Sequence, residues 1–351
     1  MFDIEKIIRP NIKQLEPYSS ARDEFSGAAS IFLDANENSY GSPLPRNYNR
    51  YPDPLQRKLK DKIAGIKGVP APHIFLGNGS DECIDLLYRA FCNPGEDNVI
   101  VCPPTYGMYE VSAHINDIAP RKVSLTEYFQ LDLDGIAAAV DGHTKMIFLC
   151  SPNNPTGNSL YREDVELILN NFEGLVVIDE AYINFSQQKS FIGELTEYPN
   201  LVVMQTLSKA WGLAALRIGM IFSSLPVVEV LNKIKPPYNI NQASQELALE
   251  ALENIGQVNG WILRLVAERD KLASALTALP LVESIYPSDA NFLLVKMKQS
   301  RKIYETLVEQ GIIVRDRGRV ILCEGCLRIT VGTEPENAAL LKAMSEIGTI
   351  L

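Results

Sequence analysis

The chain has 351 residues, 46% hydrophobic and 22% charged, the balance of an ordinary globular protein with room for two or three domains. Its 33 Lys and Arg stand against 43 Asp and Glu, a net charge of −10, which argues against nucleic acid as the main partner because no strong basic patch is available to displace counterions. No apolar run reaches the ~18 residues of a membrane span, the N-terminus lacks the apolar core of a secretory signal, and the six cysteines are scattered as reduced thiols would be, so a cytoplasmic location is expected.

In chain order, residues 1–26 carry too few periodic apolar positions for a domain and read as an N-terminal arm. From about residue 75 short buried strands alternate with helical patterns: "NVIVC" (98–102), "KMIFLC" (145–150), "LVVID" (175–179), "LVVMQ" (201–205) and "IGMIF" (218–222) lack the polar alternation of a half-exposed strand. "SDECIDLLYRAFC" (80–92) and "REDVELILNNF" (162–172) are helical, the first with Cys83, Leu87, Ala90 and Phe91 on one stripe. The alternation predicts an α/β domain over 27–240 with a mostly parallel sheet flanked by helices. "KPPYNINQ" (235–242) marks a junction. Beyond it, long amphipathic helices and the strands "NFLLVKM", "GIIVRDRG" and "LRITVG" predict a smaller α+β domain over 241–351.

Four motifs carry chemistry. "GNGSDE" (77–82) turns from a strand into a helix, but Glu82 stands where a dinucleotide fingerprint needs its third glycine. The helix start still offers the amides of Ser80 and Asp81 to a phosphate, provided the Asp81 and Glu82 carboxylates point away; simple capping by Ser80 is the alternative. "CSPNNPTGN" (150–158) places Asn154 beyond the C-terminal end of a strand, where open α/β sheets bind ligands, and its prolines allow cis bonds. "VVIDEAY" (176–182) ends a buried strand on Asp179, with Tyr182 following; the carboxylate needs a positive partner, either an arginine or a protonated ring nitrogen. "TLSKAWGLAALRIG" (206–219) sets Lys209 in a mostly apolar run, which predicts a buried amine of lowered pKa, nucleophilic toward aldehydes. With Thr206, Ser208 and Arg217 as further phosphate donors, every feature of pyridoxal 5'-phosphate has a matching group. An imine to the cofactor then explains why a lysine is tolerated there. His73, His114 and His143 show no triad or metal spacing, and Cys323 and Cys326 form a lone CxxC, so no metal is expected.

On these motifs the chain resembles pyridoxal-phosphate-dependent enzymes of the aspartate-aminotransferase fold (fold type I). More narrowly, on "LEPY", "DANEN", "RYPDP" and "PTYGMY", it resembles the histidinol-phosphate aminotransferase family. The likeness runs nearly end to end; Ser39, Trp211 and Ala215 depart from the usual pattern in packing rather than chemistry. The resemblance implies that Lys209 binds the cofactor and shuttles the proton. It implies that Asp179 pairs with the ring nitrogen, that Asn154 and Tyr182 bond the phenolic oxygen, and that Tyr106 stacks on the ring. Ser80, Asp81, Thr206, Ser208 and Arg217 would hold the phosphate, joined by Tyr51 from a second subunit of a homodimer with shared sites. Arg328 and Arg315 would receive the acidic end of the substrate, with Asn154, Tyr18 and a neighbour's Tyr238 assisting. A surface pair between Arg315 and Asp316 is the ordinary alternative.

The implied reaction is ping-pong transamination between histidinol phosphate and 2-oxoglutarate, giving imidazole-acetol phosphate and glutamate in histidine biosynthesis. Rivals on the same fold are an aromatic or aspartate aminotransferase and a phosphothreonine decarboxylase. A non-catalytic pyridoxal-phosphate-binding regulator would need a DNA-binding module before residue 30, and no helix-turn-helix pattern is there. A nicotinamide dehydrogenase is disfavoured by the broken glycine fingerprint.

Overall fold

The computed structural model describes residues 2–18 and 31–350. Two short helices, α1 (Ile4–Ile7) and α2 (Pro10–Gln14), open the chain and precede α3 (Arg57–Lys67). Then follow β1 (Ile74–Asn78), α4 (Ser80–Phe91), β2 (Asn98–Val101), α5 (Met108–Ile115), β3 (Ala119–Lys122), α6 (Leu133–Ala139), β4 (Thr144–Cys150), α7 (Arg162–Asn171), β5 (Leu175–Asp179), β6 (Leu201–Thr206), β7 (Ile218–Ser223) and α8 (Leu225–Ile234). The remainder is α9 (Gln242–Leu252), α10 (Ile255–Thr277), β8 (Val282–Ile285), β9 (Phe292–Met297), α11 (Ser300–Glu309), β10 (Arg315–Asp316), β11 (Cys326–Thr330) and α12 (Glu334–Ile350).

Seven strands form one sheet in the order β1-β7-β6-β5-β4-β2-β3. All its pairings are parallel except the two made by β7. The predicted apolar runs are these strands, and both sheet faces are covered, which is why they lack alternation. Along β5, Leu175 and Val177 join the core under α4, α5 and α8, whereas Val176 and Ile178 join the opposite core. The period of two therefore carries Asp179, at the strand's end, to the α5 side. Two strands escaped the sequence reading, β3 (Ala119–Lys122) and β8 (Val282–Ile285): each is the edge of its sheet, its side chains are exposed or half-buried, and burial leaves no pattern to read.

The second sheet is antiparallel, ordered β10-β11-β9-β8, and packs its own core with α10, α11 and α12 through Leu272, Val295, Leu307 and Met344. Of the predicted strand "GIIVRDRG", only Arg315–Asp316 pairs as strand. The early part of the predicted arm packs on the same chain: the Arg9 N–H donates to the Ala90 carbonyl at 3.1 Å and Ile7 is buried against the large sheet's core. Residues 19–26 of that arm lie outside the described residues. Among the described residues, no helix is long and apolar enough to cross a membrane.

Candidate active site

The sheet order places the ends of β4, β5 and β6 side by side, so the segments that follow them share one edge. Asp179 lies in register with Cys150 on one side and Met204 on the other. A cleft of about 340 Å³ opens there, with the second sheet as its far wall. It gathers nearly all the site residues read from the sequence: Ser80, Asp81, Tyr106, Asn154, Asp179, Tyr182, Thr206, Ser208, Lys209, Arg217, Arg315 and Arg328 line it. Tyr51 and Tyr238 do not. They stack on each other at 4.5 Å between ring centroids, in a separate surface hollow with Glu37 and Asn36. Tyr18 is exposed.

Lys209 corrects one expectation. The flanking Leu207, Ala210 and Trp211 are buried, which is what the apolar run reports, but Lys209 itself is exposed to the cleft rather than packed in the core. Its pKa is still lowered, first by surrounding protein that displaces water and then by the Arg328 cation, with the Asp179 carboxylate opposing. Its Nζ stands 5.7 Å from the centre of the Tyr182 ring.

Asp179 is 4% exposed. Burial raises its pKa, and two donors resist that: the Tyr109 hydroxyl gives a 2.6 Å hydrogen bond to Oδ2 and the Ala181 N–H one of 3.0 Å to Oδ1. Tyr109 was not singled out from the sequence. The signal was available in "PTYGMY", where a second tyrosine follows the first by three residues and lies on the inward face of α5. The Tyr109 ring is fully buried and stacks on Phe148 at 5.0 Å.

Asn154 bridges two parts of the cleft. Its Nδ2 donates to the Tyr182 hydroxyl at 3.4 Å, and its Oδ1 accepts from Arg328 Nη1 at 2.5 Å. The peptide bonds before Pro152 and Pro155 are cis, as the motif allowed.

At the start of α4, Gly79 rather than Ser80 is the cap, with φ of +80°, so Ser80 is the first helical residue and its hydroxyl does no capping. A β-carbon at Gly79 would strike the Arg217 guanidinium. One at Gly219 would fall 2.5 Å from the Ser80 nitrogen. Both glycines are thus required to bring β1, β7 and the Arg217 side chain to one point. Arg217 is itself held at φ +54°, a conformation costly for a side-chain-bearing residue. Of the two acids in this turn, Glu82 does point away, accepting from the Asn78 N–H and from Asn239 Nδ2 at 2.9 Å. Asp81 does not: it faces the cleft, accepts from the Tyr106 hydroxyl at 3.0 Å and sits 3.6 Å from Arg217. Its charge is compensated by Arg217 instead of being turned outward.

Asp316 does not pair with Arg315; it accepts from the Gly318 N–H at 2.8 Å and from Arg301 at 3.3 Å. One further arginine, Arg317, lines the cleft and was not assigned from sequence. Among the described residues, five cationic side chains face two carboxylates there, in a chain whose net charge is −10. The cleft is built for an anion.

A basic amine beside an acid-terminated strand, in an anion-attracting cleft on this sheet, defines an aminotransferase site, and the family model "Aminotransferase class I and II" matches residues 34–344. A histidinol-phosphate aminotransferase of Cytophaga hutchinsonii is 57% identical over 98% of this chain and 99% of its own length. One of Parabacteroides distasonis is 55% identical over 99% of each. The chain belongs to the histidinol-phosphate aminotransferase family, within the class I and II aminotransferases. Among solved structures, the histidinol-phosphate aminotransferase from Sinorhizobium meliloti in complex with pyridoxal-5'-phosphate has the same fold, with a TM-score of 0.80, 24% identity and 90% of each chain covered.

Proposed function

We propose that this chain transfers the amino group of histidinol phosphate to 2-oxoglutarate, with pyridoxal phosphate as cofactor, in a homodimer whose sites are shared. The observation that carries the reading is the convergence of Lys209, Asp179, Asn154 and Tyr182 at three adjacent strand ends, next to a glycine-lined cradle of phosphate donors. The donor set fits the cofactor. The Ser80 amide at the positive end of α4, the Ser208 hydroxyl and the Arg217 guanidinium suit a phosphate, while the Thr206 hydroxyl donates to the Ile218 carbonyl at 3.2 Å and accepts from the Ser208 N–H; Asp179 suits a ring N–H⁺; Tyr182 and Asn154 suit a phenolate oxygen.

When bound, the cofactor supplies an aldehyde that condenses with amines and a ring that accepts the electron pair left by a broken Cα–H bond. The protein does the rest. The Lys209 amine, its pKa lowered, is placed to take the proton from the substrate's Cα and would return it to the carbon on the far side of the transferred nitrogen. Asp179, anchored by Tyr109 and the Ala181 amide, would pair as a carboxylate with a protonated ring nitrogen. Tyr106 forms the cleft wall, and Asp81 fixes that tyrosine's hydroxyl. Arg328, placed by Asn154, receives the phosphate of one substrate and a carboxylate of the other with Arg315 beside it, since a guanidinium fork bonds two oxygens of either anion.

The shared-site reading rests on Tyr51 and Tyr238, which stack in a surface hollow separate from the Lys209 cleft, and on the exposed Ile31, Leu33, Tyr40 and Leu44 in the same N-terminal stretch. A second copy would cover these apolar groups and bring Tyr51 to the phosphate cradle. In the same reading Tyr18 and the neighbour's Tyr238 close over the substrate.

The test is a spectrum and a turnover assay together. Wild-type protein mixed with pyridoxal phosphate is expected to show a visible absorption band that borohydride bleaches, with label fixed on Lys209. It is also expected to convert histidinol phosphate with 2-oxoglutarate faster than phenylalanine or aspartate. Lys209→Ala loses the covalent label and at least about 10²-fold of turnover. A band without histidinol phosphate turnover would leave an aminotransferase of other specificity; carbon dioxide release from phosphothreonine would favour the decarboxylase instead.

A further inference from the structure

Three guanidiniums converge on the wall of the cleft that the second sheet supplies, and Arg317 is the one without a role. Register explains how it gets there. Arg315 lies directly opposite Arg328 across β10 and β11, so the two side chains share a face. The Arg317 N–H donates to the Cys326 carbonyl at 2.9 Å, which extends the ladder past the last paired strand residue. Two residues on from Arg315, Arg317 returns to the same face. Asp316, between them, faces the other way, onto Arg301 and the Gly318 amide. The sequence Arg-Asp-Arg therefore delivers two cations to the cleft and keeps the intervening carboxylate out of it.

These charges are not neutralised locally. Among the described residues, no carboxylate stands within ion-pair distance of Arg315, Arg317 or Arg328, and the Nε of Arg317 is buried without a hydrogen-bond partner. Burial and the two neighbouring arginines both weaken Arg317's hold on its proton. Three cations in one half-buried wall repel one another unless an anion enters. A carboxylate offers two oxygens and one negative charge, which Arg328 and Arg315 suffice to bind. A phosphate monoester offers three terminal oxygens and close to two charges, which leaves a place for a third fork.

Resting on the substrate reading above, we propose that Arg317 is a specificity-determining residue for the phosphate end of the substrate, engaged in the half-reaction that takes the phosphate monoester and dispensable in the one that takes a dicarboxylate. Arg317→Gln removes the charge while keeping an N–H donor; Arg317→Lys keeps the charge and loses the fork. Each half-reaction is followed separately by single-turnover absorbance of the cofactor-loaded dimer. Binding of histidinol phosphate and of unphosphorylated histidinol is measured by calorimetry.

Loss of one charge-assisted contact predicts a rise of about 10- to 100-fold in KM and Kd for histidinol phosphate in Arg317→Gln, with partial recovery in Arg317→Lys. Histidinol affinity and the glutamate half-reaction stay within about twofold. If the Gln variant does not fold, the Lys variant carries the comparison through the same ratio of the two half-reactions. Equal losses in both half-reactions, or unchanged affinity for the phosphate ester in a folded variant, overturns the role of Arg317 alone. Failure of the wild type on histidinol phosphate overturns the substrate reading and this assignment with it.

Discussion

Tyr109→Phe isolates the contact that anchors Asp179. The substitution deletes one oxygen and leaves the ring, which is fully buried and stacked on Phe148, without creating a cavity of consequence. What disappears is a 2.6 Å hydrogen bond to a buried carboxylate that has, among the described residues, one other hydrogen-bond donor, the Ala181 N–H. A hydrogen bond to a charged group contributes about 1.5–3 kcal/mol. Unfolding entropy of roughly 2.1 cal/mol/K per residue gives about 0.7 kcal/mol/K for 351 residues, so the melting temperature should fall by about 2–4 °C.

The sign of the pH dependence follows from which form the bond favours. Tyr109 donates, so it stabilises ionised Asp179 and counteracts the upward push of burial. The loss is therefore largest at alkaline pH, where Asp179 is charged in the folded protein. It shrinks as pH falls through the folded-state pKa, which lies above the ordinary 3.8. Thermal unfolding of wild type and variant without cofactor, scanned from pH 5 to 9, reads this directly. A melting difference that is absent at pH 9, or larger at pH 5 than at pH 9, would refute the claim that this hydroxyl serves the charged carboxylate.

Two further outcomes follow from the site. Asp179→Asn should raise the melting temperature of the cofactor-free protein at neutral pH while removing most activity. Burial raises the pKa of Asp179, so its stability penalty is absent below 3.8 and grows as pH rises toward the folded value; the gain from Asn should vanish in acid, and equal melting at all pH values would contradict it. Gly219→Ala drives a β-carbon to 2.5 Å from the Ser80 nitrogen and must push α4 from the cradle. About 1–3 kcal/mol of stability and roughly tenfold or more in cofactor affinity should be lost, measured by melting and by cofactor titration, and a variant with wild-type affinity would show that the cradle is not where the phosphate is held.

Much of the fold was legible because parallel strands buried on both faces are written as unbroken apolar runs, and because glycine, proline and capping residues mark their ends. The strands 175–179 and 201–206 were read almost residue for residue, and with them the positions of Asp179 and Lys209 at one edge. The edge strand β3, with its exposed or half-buried side chains, had no such signature.

By itself the sequence determined which chemical groups are present and that Asn154, Asp179 and Lys209 stand at or just beyond strand ends, since both are properties of short contiguous stretches. Only the tertiary structure decided how those groups face one another. It turned Lys209 into an open cleft despite its apolar neighbours, set Asp81 against Arg217 while Glu82 swung out, brought Tyr109 from α5 to Asp179, and used cross-strand register to add Arg317 to the anion wall. Each of these depends on a pairing between segments far apart in the chain, and the side chain's direction at such a meeting is fixed by packing and register rather than by the residues on either side of it.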